Sequence, residues 1–574
     1  MPTLHWIGKE KVINHHLDVP FRVLKHQYTF DNGTQKASPT GSDRRTGGLE
    51  AVTNKIIHGD NLEALKALLP EYEGKIKCIY IDPPYNTGKE GWTYNDNVND
   101  PKIKKWLHSV VGKEGEDLSR HDKWLCMMYP RLKLLHKLLA SDGVMVTSID
   151  NNEYSSLSLM LDEIFGRVNF IGTVIWKNAN DNNPTNIATE HEYILFYAKN
   201  KSAISPVWKS SELDVKRRLI EIGKEFILQS TNEDDLQIIY TKWYRENKST
   251  IWPFEDYKFI DNGGIYTGSR SVHNPGKEGY RYDVIHPITG KPCTQPQMGY
   301  RFPPETMQRL LDEQKILFGK DETKLIELKL YVADYRAKLS SVIDIDGRAG
   351  TNTIKQIFPE SNRQFDFPKP FTLLEEVLSF ITKDEDTILD SFAGSGTTAH
   401  AVLNLNKQDG GHRKFILIEM EDYAETITAE RVKRVINGYG QTSPPPQEGN
   451  NGTGGVFDYY ELGEPLFLEE GVLNEAVAEE EIRRYVYYTE TQTSLPEKGE
   501  SHDNVHFLGH YQDTSYYFFY EKDTVTSLDH AFLATMRTKA EQYVIYADNC
   551  LLTREFMVKH HLIFKKIPRD ITRF

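Results

Sequence analysis

Cysteine is nearly absent: four in 574 residues, at Cys78, Cys126, Cys293 and Cys550. None stands in a C-x-x-C pair or near histidines at ligand spacing, so neither a disulfide framework nor a zinc site is indicated, and no metal is expected. Long apolar runs are missing too. No stretch approaches the roughly 18 residues that span a bilayer, and Met1 to Lys11 lacks the charged-then-apolar layout of a secretory signal. No membrane partner is expected, and residence in the cytoplasm is. No internal repeat occurs at solenoid periods. Positive charge is in deficit as well: 69 Lys and Arg stand against 83 Asp and Glu, giving a net charge of -14. The total therefore shows no basic footprint for nucleic acid. However, about ten of the fourteen excess negative charges fall after Gly440, many of them between Glu461 and Glu481, so a basic groove remains possible in the earlier part.

What is present exceeds one hydrophobic core and suggests about three or four domain-sized units. Residues 1–50 form an N-terminal arm with a polar loop from Asn32 to Gly48. From Lys55 the pattern is α/β: Ile56-Ile57, a helix from Leu62 to Leu69, then the apolar strand Ile76 to Ile81 ending at Asp82. A helix from Asp122 to Leu139, a strand Val144 to Ile149, a helix Glu153 to Phe165 and a strand Phe170 to Trp176 follow, completing a segment 51–177. Residues 178–350 break the pattern with short strands, glycine-rich turns and one long helix near Pro304 to Leu339, and read as an insertion. The α/β signature resumes over 351–440, with a helix Leu373 to Ile381, a strand Thr387 to Leu389, a glycine loop, a helix Thr397 to Asn406 and a strand Lys414 to Ile418. The Pro-, Gly- and Asn-rich stretch from Tyr439 to Gly455 marks a linker, set at 441–456. Beyond it, 457–574 reads as a smaller α/β or α+β unit with strands such as Ser515 to Tyr520 and Gln542 to Ala547. The fold class is α/β, with a doubly wound, mostly parallel sheet.

Ligands of such sheets bind beyond the carboxyl ends of the strands, and two loops stand there. In Asp390-Ser-Phe-Ala-Gly-Ser-Gly-Thr-Thr398, Gly394 and Gly396 allow a tight turn and close approach of a ligand to a helix N-terminus. The strand Phe415 to Ile418 ends in Glu419, placed to accept hydrogen bonds from ribose hydroxyls. Together they suit an adenosine-containing cofactor. Phe392 fits either packing under the turn or contact with that cofactor, and Thr397 fits its anionic end. On residues alone, Gly394-x-Gly396-x-x-Ala399 also satisfies the dinucleotide fingerprint, so an oxidoreductase stays open.

The other loop, Asp82-Pro83-Pro84-Tyr85-Asn86-Thr87-Gly88, is hard to explain as structure alone. Two prolines remove donors and stiffen the chain after a buried strand. An exocyclic aromatic amine is a poor nucleophile, because its lone pair is delocalised into the ring. The Asp82 carboxylate and the Pro83 carbonyl can draw its hydrogens toward tetrahedral geometry while Tyr85 stacks on the base.

Asp82-Pro83-Pro84-Tyr85 resembles the DPPY catalytic motif of amino-methylating DNA methyltransferases, and Asp390 to Thr398 resembles their FxGxG cofactor motif. The order, catalytic motif first with a long insert between, is similar to that of the β class. Flanking segments agree: His58-Gly59-Asp60-Asn61 resembles the segment whose Asp contacts the cofactor adenine, and Phe367-Pro368-Lys369-Pro370 the motif ahead of the glycine loop. The resemblance spans about Lys55 to Arg434. It implies a class I S-adenosylmethionine-dependent methyltransferase fold, with 51–177 as catalytic half, 178–350 as target recognition domain and 351–440 as cofactor-binding half. It further implies Asp82, Pro83, Pro84 and Tyr85 as catalytic residues, and Asp60, Lys369, Asp390, Phe392, Gly394, Gly396, Thr397 and Glu419 as cofactor contacts. Aspartate at position 82 favours adenine N6 over cytosine N4. Length, tail and the ending Ile567-Pro568-Arg569-Asp570-Ile571 are most similar to the modification subunit of type III restriction-modification systems. That resemblance implies double-stranded DNA as substrate, a homodimer and a helicase-nuclease restriction subunit as partners, and 457–574 as an accessory interaction domain. A stand-alone or type II amino-methyltransferase and a catalytically idle DNA-binding subunit are the remaining alternatives. For DNA contact, Arg270, Arg281 and Arg301 are the candidates, interleaved with tyrosines in the insert.

Overall fold

The computed structural model describes residues 3–37, 54–87, 105, 109, 120–178, 186–208, 214–230, 232–248, 251, 254–273, 276–335, 338–360, 365–440, 450–468, 471–496 and 504–569. Gly88, most of the polar loop, positions 441–449 of the linker, Asp570, Ile571 and the side chain of Arg270 lie outside the description. The chain forms two compact units, residues 207–339 and the remainder.

The larger unit is built on an eleven-stranded sheet. Its strands are β1 (Arg22–Asp31), β2 (Thr34–Ala37), β3 (Asn54–His58), β4 (Ile76–Ile81), β5 (Leu139–Ile149), β6 (Phe170–Lys177), β7 (His191–Ala198), β8 (Val342–Asp344), β9 (Thr387–Asp390), β10 (Lys414–Glu419) and β11 (Val456–Pro465). Their order is β8-β6-β7-β5-β4-β9-β10-β3-β11-β1-β2. The run β5-β4-β9-β10-β3-β11 is parallel throughout. β4, β9 and β10 are apolar almost without interruption, as strands covered on both faces must be.

The helices that cover this sheet are α1 (Asn61–Tyr72), α2 (Arg120–Leu138), α3 (Tyr154–Leu161), α4 (Phe371–Ile381), α5 (Thr397–Asp409) and α6 (Glu430–Asn437). Asp60 starts α1 by accepting from the amides of Leu62 and Glu63 at 2.8 and 3.2 Å, and Leu62, Leu65 and Leu68 then face the core. The crossover from β4 through α2 runs to β5, whereas that from β9 through α5 runs the opposite way, to β10. Right-handed crossovers in opposite directions put α2 and α5 on opposite faces. Between β4 and β9 the winding therefore reverses, and the loops that leave these neighbouring strands diverge and open a crevice. This is the doubly wound sheet expected from the sequence.

Several boundaries differ from expectation. β7 lies inside the expected insert, yet it pairs antiparallel with both β5 and β6, and β8 adds parallel to β6. Residues 178–206 and 340–350 thus belong to the larger unit. Likewise β11, expected at the start of a separate tail, fills the position between β3 and β1, because its backbone completes both ladders and Phe457 and Tyr459 turn into the core. β1, expected in a detached arm, pairs with it. The tail then continues as a helix, Glu479–Thr491, and a four-stranded sheet that includes Thr514–Phe518 and Gln542–Ala547.

In the smaller unit, helices Asp214–Gln229 and Glu233–Asn247 accompany a four-stranded antiparallel sheet and bury Tyr240, Phe254 and Tyr257. The long helix expected near Pro304 to Leu339 is a correction: it ends at Asp312. Gln314 takes a left-handed φ of 54°, after which Ile316–Leu317 and Glu327–Tyr331 pair as strands. Among the described residues no helix is long and apolar enough to cross a membrane.

Candidate active site

Both loops singled out in the sequence open into the crevice at the reversal of winding. β9 pairs with β4 through Ile388 opposite Cys78 and Leu389 opposite Ile79, a register that brings Asp390 level with Tyr80, two residues before Asp82, and both aspartates line the same cleft. That cleft is lined by Tyr80, Asp82, Pro368, Lys369, Asp390 and Thr397 among others.

On the first loop, Asp82 is buried, and its Oδ2 lies 2.9 Å from the ammonium of Lys369. Burial raises the Asp82 carboxyl above its ordinary value, Lys369 opposes that rise and Glu192 adds to it. Lys369 also lies 3.3 Å from Glu192 and 4.8 Å from the centre of the Tyr85 ring. Its burial would lower its pKa, but the two carboxylates prevail and raise it, so the ammonium stays charged. Glu192 further accepts from the Tyr85 hydroxyl at 2.6 Å and the Asn178 amide at 2.7 Å, which fixes the ring of Tyr85. The indole of Trp124 donates to the Pro84 carbonyl at 2.6 Å. No described residue bonds to the Pro83 carbonyl. Asn86, with a left-handed φ of 62°, ends the turn and donates to the fully buried Glu153.

The glycine loop is clasped from below. Gly394 donates from its amide to Glu419 at 2.7 Å and Glu421 to the same carboxylate at 2.9 Å, and the Tyr423 hydroxyl also bonds to it. Gly394 and Gly396 adopt φ values of 51° and 81°, and a Cβ on Gly396 would stand 3.1 Å from the Thr428 carbonyl. A side chain there is strained by the left-handed conformation and crowded against the Thr428 carbonyl. Asp390 accepts from Thr398 Oγ1 at 2.5 Å and from the Phe392 amide at 3.0 Å. Burial lifts its carboxyl to about 7 and that of Glu419 to about 8.

A pH signature follows. A carboxyl raised on folding contributes stability that is fully present below its unfolded value and lost as pH rises through the folded one. For Glu419 that window runs from 4.5 to about 8. In the ligand-free protein, thermal unfolding of Glu419→Gln, which stays neutral, should gain on the wild type steadily across this window. A constant difference between the two melting temperatures would contradict the assignment.

Of the residues expected from the sequence, Asp60 sits at the end of β3, beside β10. Its carboxylate caps α1 and lies 3.6 Å from Arg131, while Asn61 donates to the Ser391 carbonyl. Phe392 is half-buried against the core. Lys369 bridges the two loops: its side chain meets Asp82, and its carbonyl is 3.4 Å from Thr397 Oγ1. Sequence reasoning missed Glu192, Trp124 and Arg431, which become neighbours of the loops only through tertiary packing. In the smaller unit, Arg281 and Arg301 are exposed beside the reciprocal backbone bonds of Tyr280 and Tyr300, both 2.8 Å. Arg270 lies on strand Gly264–Ser271.

A family model described as DNA methylase matches residues 76–430. The Mod subunit of the type III restriction-modification enzyme EcoP15I of Escherichia coli is 52% identical over 376 residues, which cover 64% of this chain and 58% of that protein. The StyLTI Mod subunit of Salmonella typhimurium is 33% identical over 386 residues, covering 64% of this chain and 52% of that protein. The chain thus spans just over half the length of these curated relatives. Among solved structures, the cytosine-N4-specific PvuII DNA methyltransferase aligns at 13% identity and a TM-score of 0.30, over 66% of this chain and 86% of that one.

Proposed function

Because the chain belongs to the DNA methylase family, we propose that it transfers the methyl group of S-adenosylmethionine to N6 of adenine in duplex DNA. The observation that carries this reading is the crevice itself, where an acceptor pair on one loop faces an adenosine-suited loop on the next strand. Gly394, Gly396, Asp390, Phe392, Thr397, Asp60 and Glu419 suit the cofactor: the two glycines supply the left-handed turn that leads into the N-terminus of α5, and a carboxylate at Glu419 suits ribose hydroxyls. When bound, S-adenosylmethionine supplies an electrophilic methyl group on a sulfonium sulfur.

The residues of the first loop act on the base. Extruding it from the duplex costs a few kcal/mol, and stacking on Tyr85 recovers about 1–3 kcal/mol. Asp82 and the Pro83 carbonyl accept the two amine hydrogens, localise the nitrogen lone pair and face the positive charge that develops on N6. Trp124 holds the Pro84 carbonyl elsewhere, so the acceptors of the pair stay distinct. Aspartate at position 82 favours N6 over cytosine N4.

The type III Mod relatives support a place in a restriction-modification system; we propose further that the chain works in the cytoplasm as a homodimer that pairs with a restriction subunit. On that reading the smaller unit, residues 207–339, recognises the target through Arg270, Arg281 and Arg301, and residues beyond β11 serve assembly. Arg281→Ala with Arg301→Ala should weaken duplex binding and lower the slope of log affinity against log salt by about 1 for each phosphate that either arginine neutralises in the wild type. Affinity for S-adenosylmethionine should not change. An unaltered slope and affinity would remove these two arginines from the interface.

The direct test of the reaction incubates the purified chain with methyl-tritiated S-adenosylmethionine and duplex DNA. Label is expected in N6-methyladenine after hydrolysis. Label in N4-methylcytosine alone, in RNA as readily as in duplex DNA, or in no base at all would overturn the proposal.

A further inference from the structure

Arg431, on α6, is fully buried directly behind the glycine loop. Its Nη1 donates to Ser395 Oγ at 2.7 Å and to Thr397 Oγ1 at 2.8 Å, and Nη2 meets His400 Nδ1 at 3.2 Å. None of these partners is an anion. Among the described residues no carboxylate lies within ion-pair reach of Arg431, and its buried Nε has no hydrogen-bond partner. Its neighbour on the same helix behaves differently: Arg434 pairs with Glu430 at 2.7 Å and with Glu360 at 2.6 Å. Burial pulls the Arg431 guanidinium down to about 10, which still leaves it charged at neutral pH.

A buried charge without a counter-ion is costly, so a fold that keeps one at a ligand site calls for an anion from outside. The two hydroxyls show the direction. Arg431 occupies their oxygens, so each has its proton to give. The acceptors in reach among the described residues are poor: Ser395 and Thr397 stand 3.4 Å apart, and the Lys369 carbonyl is 3.4 Å from Thr397. Both residues line the cleft. An anionic oxygen there would receive two hydroxyl protons polarised from behind by the guanidinium, at the N-terminus of α5, where the helix amides favour the same sign.

We propose that Arg431 is the counter-charge for the carboxylate on the amino-acid end of the cofactor, acting through the hydroxyls of Ser395 and Thr397. It is a positioning residue, and the inference rests on reading the cleft as the S-adenosylmethionine site. It separates two parts of one ligand: the adenosine end depends on Glu419 and the glycine turn, and the carboxylate end depends on Arg431.

The test titrates the full chain by calorimetry with S-adenosylhomocysteine, which has the carboxylate, and with 5′-methylthioadenosine, which lacks the amino-acid end. Arg431→Gln should weaken S-adenosylhomocysteine about 10-fold or more, the scale of a lost hydrogen bond to a charged group, and leave methylthioadenosine unchanged. Thr397→Val, which keeps the guanidinium and removes the relay, should show the same selective loss and decides the matter if Arg431→Gln does not fold. Equal weakening of both ligands would make Arg431 a structural prop, and no weakening of either would remove it from the site; both overturn the inference. If the wild type binds neither ligand, the cofactor reading itself fails, and the inference with it.

Discussion

Asp82→Ala is expected to abolish methyl transfer, by a factor on the order of 10³ in kcat, the scale found when one preorganised group is removed from a site of developing charge. The carboxylate is one half of the acceptor pair, and alanine leaves only the Pro83 carbonyl. The fold should survive, because Lys369 retains Glu192 at 3.3 Å and is not left as an unpaired buried cation. Cofactor affinity should also survive, since Glu419 and the glycine turn stand on the neighbouring strands and do not depend on Asp82. The measurement is single-turnover transfer with saturating DNA, beside calorimetric binding of S-adenosylhomocysteine. Retained transfer would mean that the loop is architecture and the acceptor lies elsewhere. Loss of ligand binding in parallel would mean that the variant damages the whole crevice.

Lys369→Met should lower transfer near neutral pH by about 10²-fold, the scale of a positioned proton-accepting group lost to the wrong protonation state. Methionine keeps the length of the side chain but leaves two buried carboxylates, Asp82 and Glu192, without the cation between them. Burial already raises the Asp82 carboxyl, and Lys369 is the main group that opposes the rise. Without it nothing comparable opposes the rise, so a larger share of Asp82 is protonated and is no longer a full acceptor. The acid limb of the kcat profile should therefore move to higher pH, with activity partly recovered as the medium becomes more alkaline. A profile parallel to the wild type's, merely lower, would show that Lys369 does not hold the charge state of Asp82. The affinity for S-adenosylhomocysteine should change little, because residue 369 meets Thr397 through its backbone carbonyl.

The parts of this site that were legible in the sequence are local. A strand that ends in Asp82 and two prolines, a strand that ends in Asp390 and a glycine turn, and an acidic residue closing β10 each declare themselves within ten residues. Buried parallel strands are apolar on both faces, so β4, β9 and β10 also stood out. What escaped is long-range. β7 follows a polar stretch and joins the sheet by pairing antiparallel with two strands distant in sequence, and Glu192, which fixes Tyr85, went unseen with it. β11 follows a Pro- and Gly-rich stretch that reads as a domain border, yet its register with β3 returns it to the main sheet. Arg431 sits in Glu-Arg-Val-Lys-Arg-Val, which looks like an exposed amphipathic helix, and only packing against the glycine loop buries it. Lys369 was legible as a member of the site, but not as the residue that ties one loop to the other.

The central claim is that the loop from Asp82 to Tyr85 methylates adenine N6 in DNA. The most direct measurement expresses the chain, and separately its Asp82→Ala variant, in a methylation-deficient host and maps modified bases across the genome by sequencing that distinguishes them. N6-methyladenine at one short recurring sequence with the wild type, and none with the variant, is the predicted result. A genome free of N6-methyladenine, or one equally modified by the variant, would contradict it.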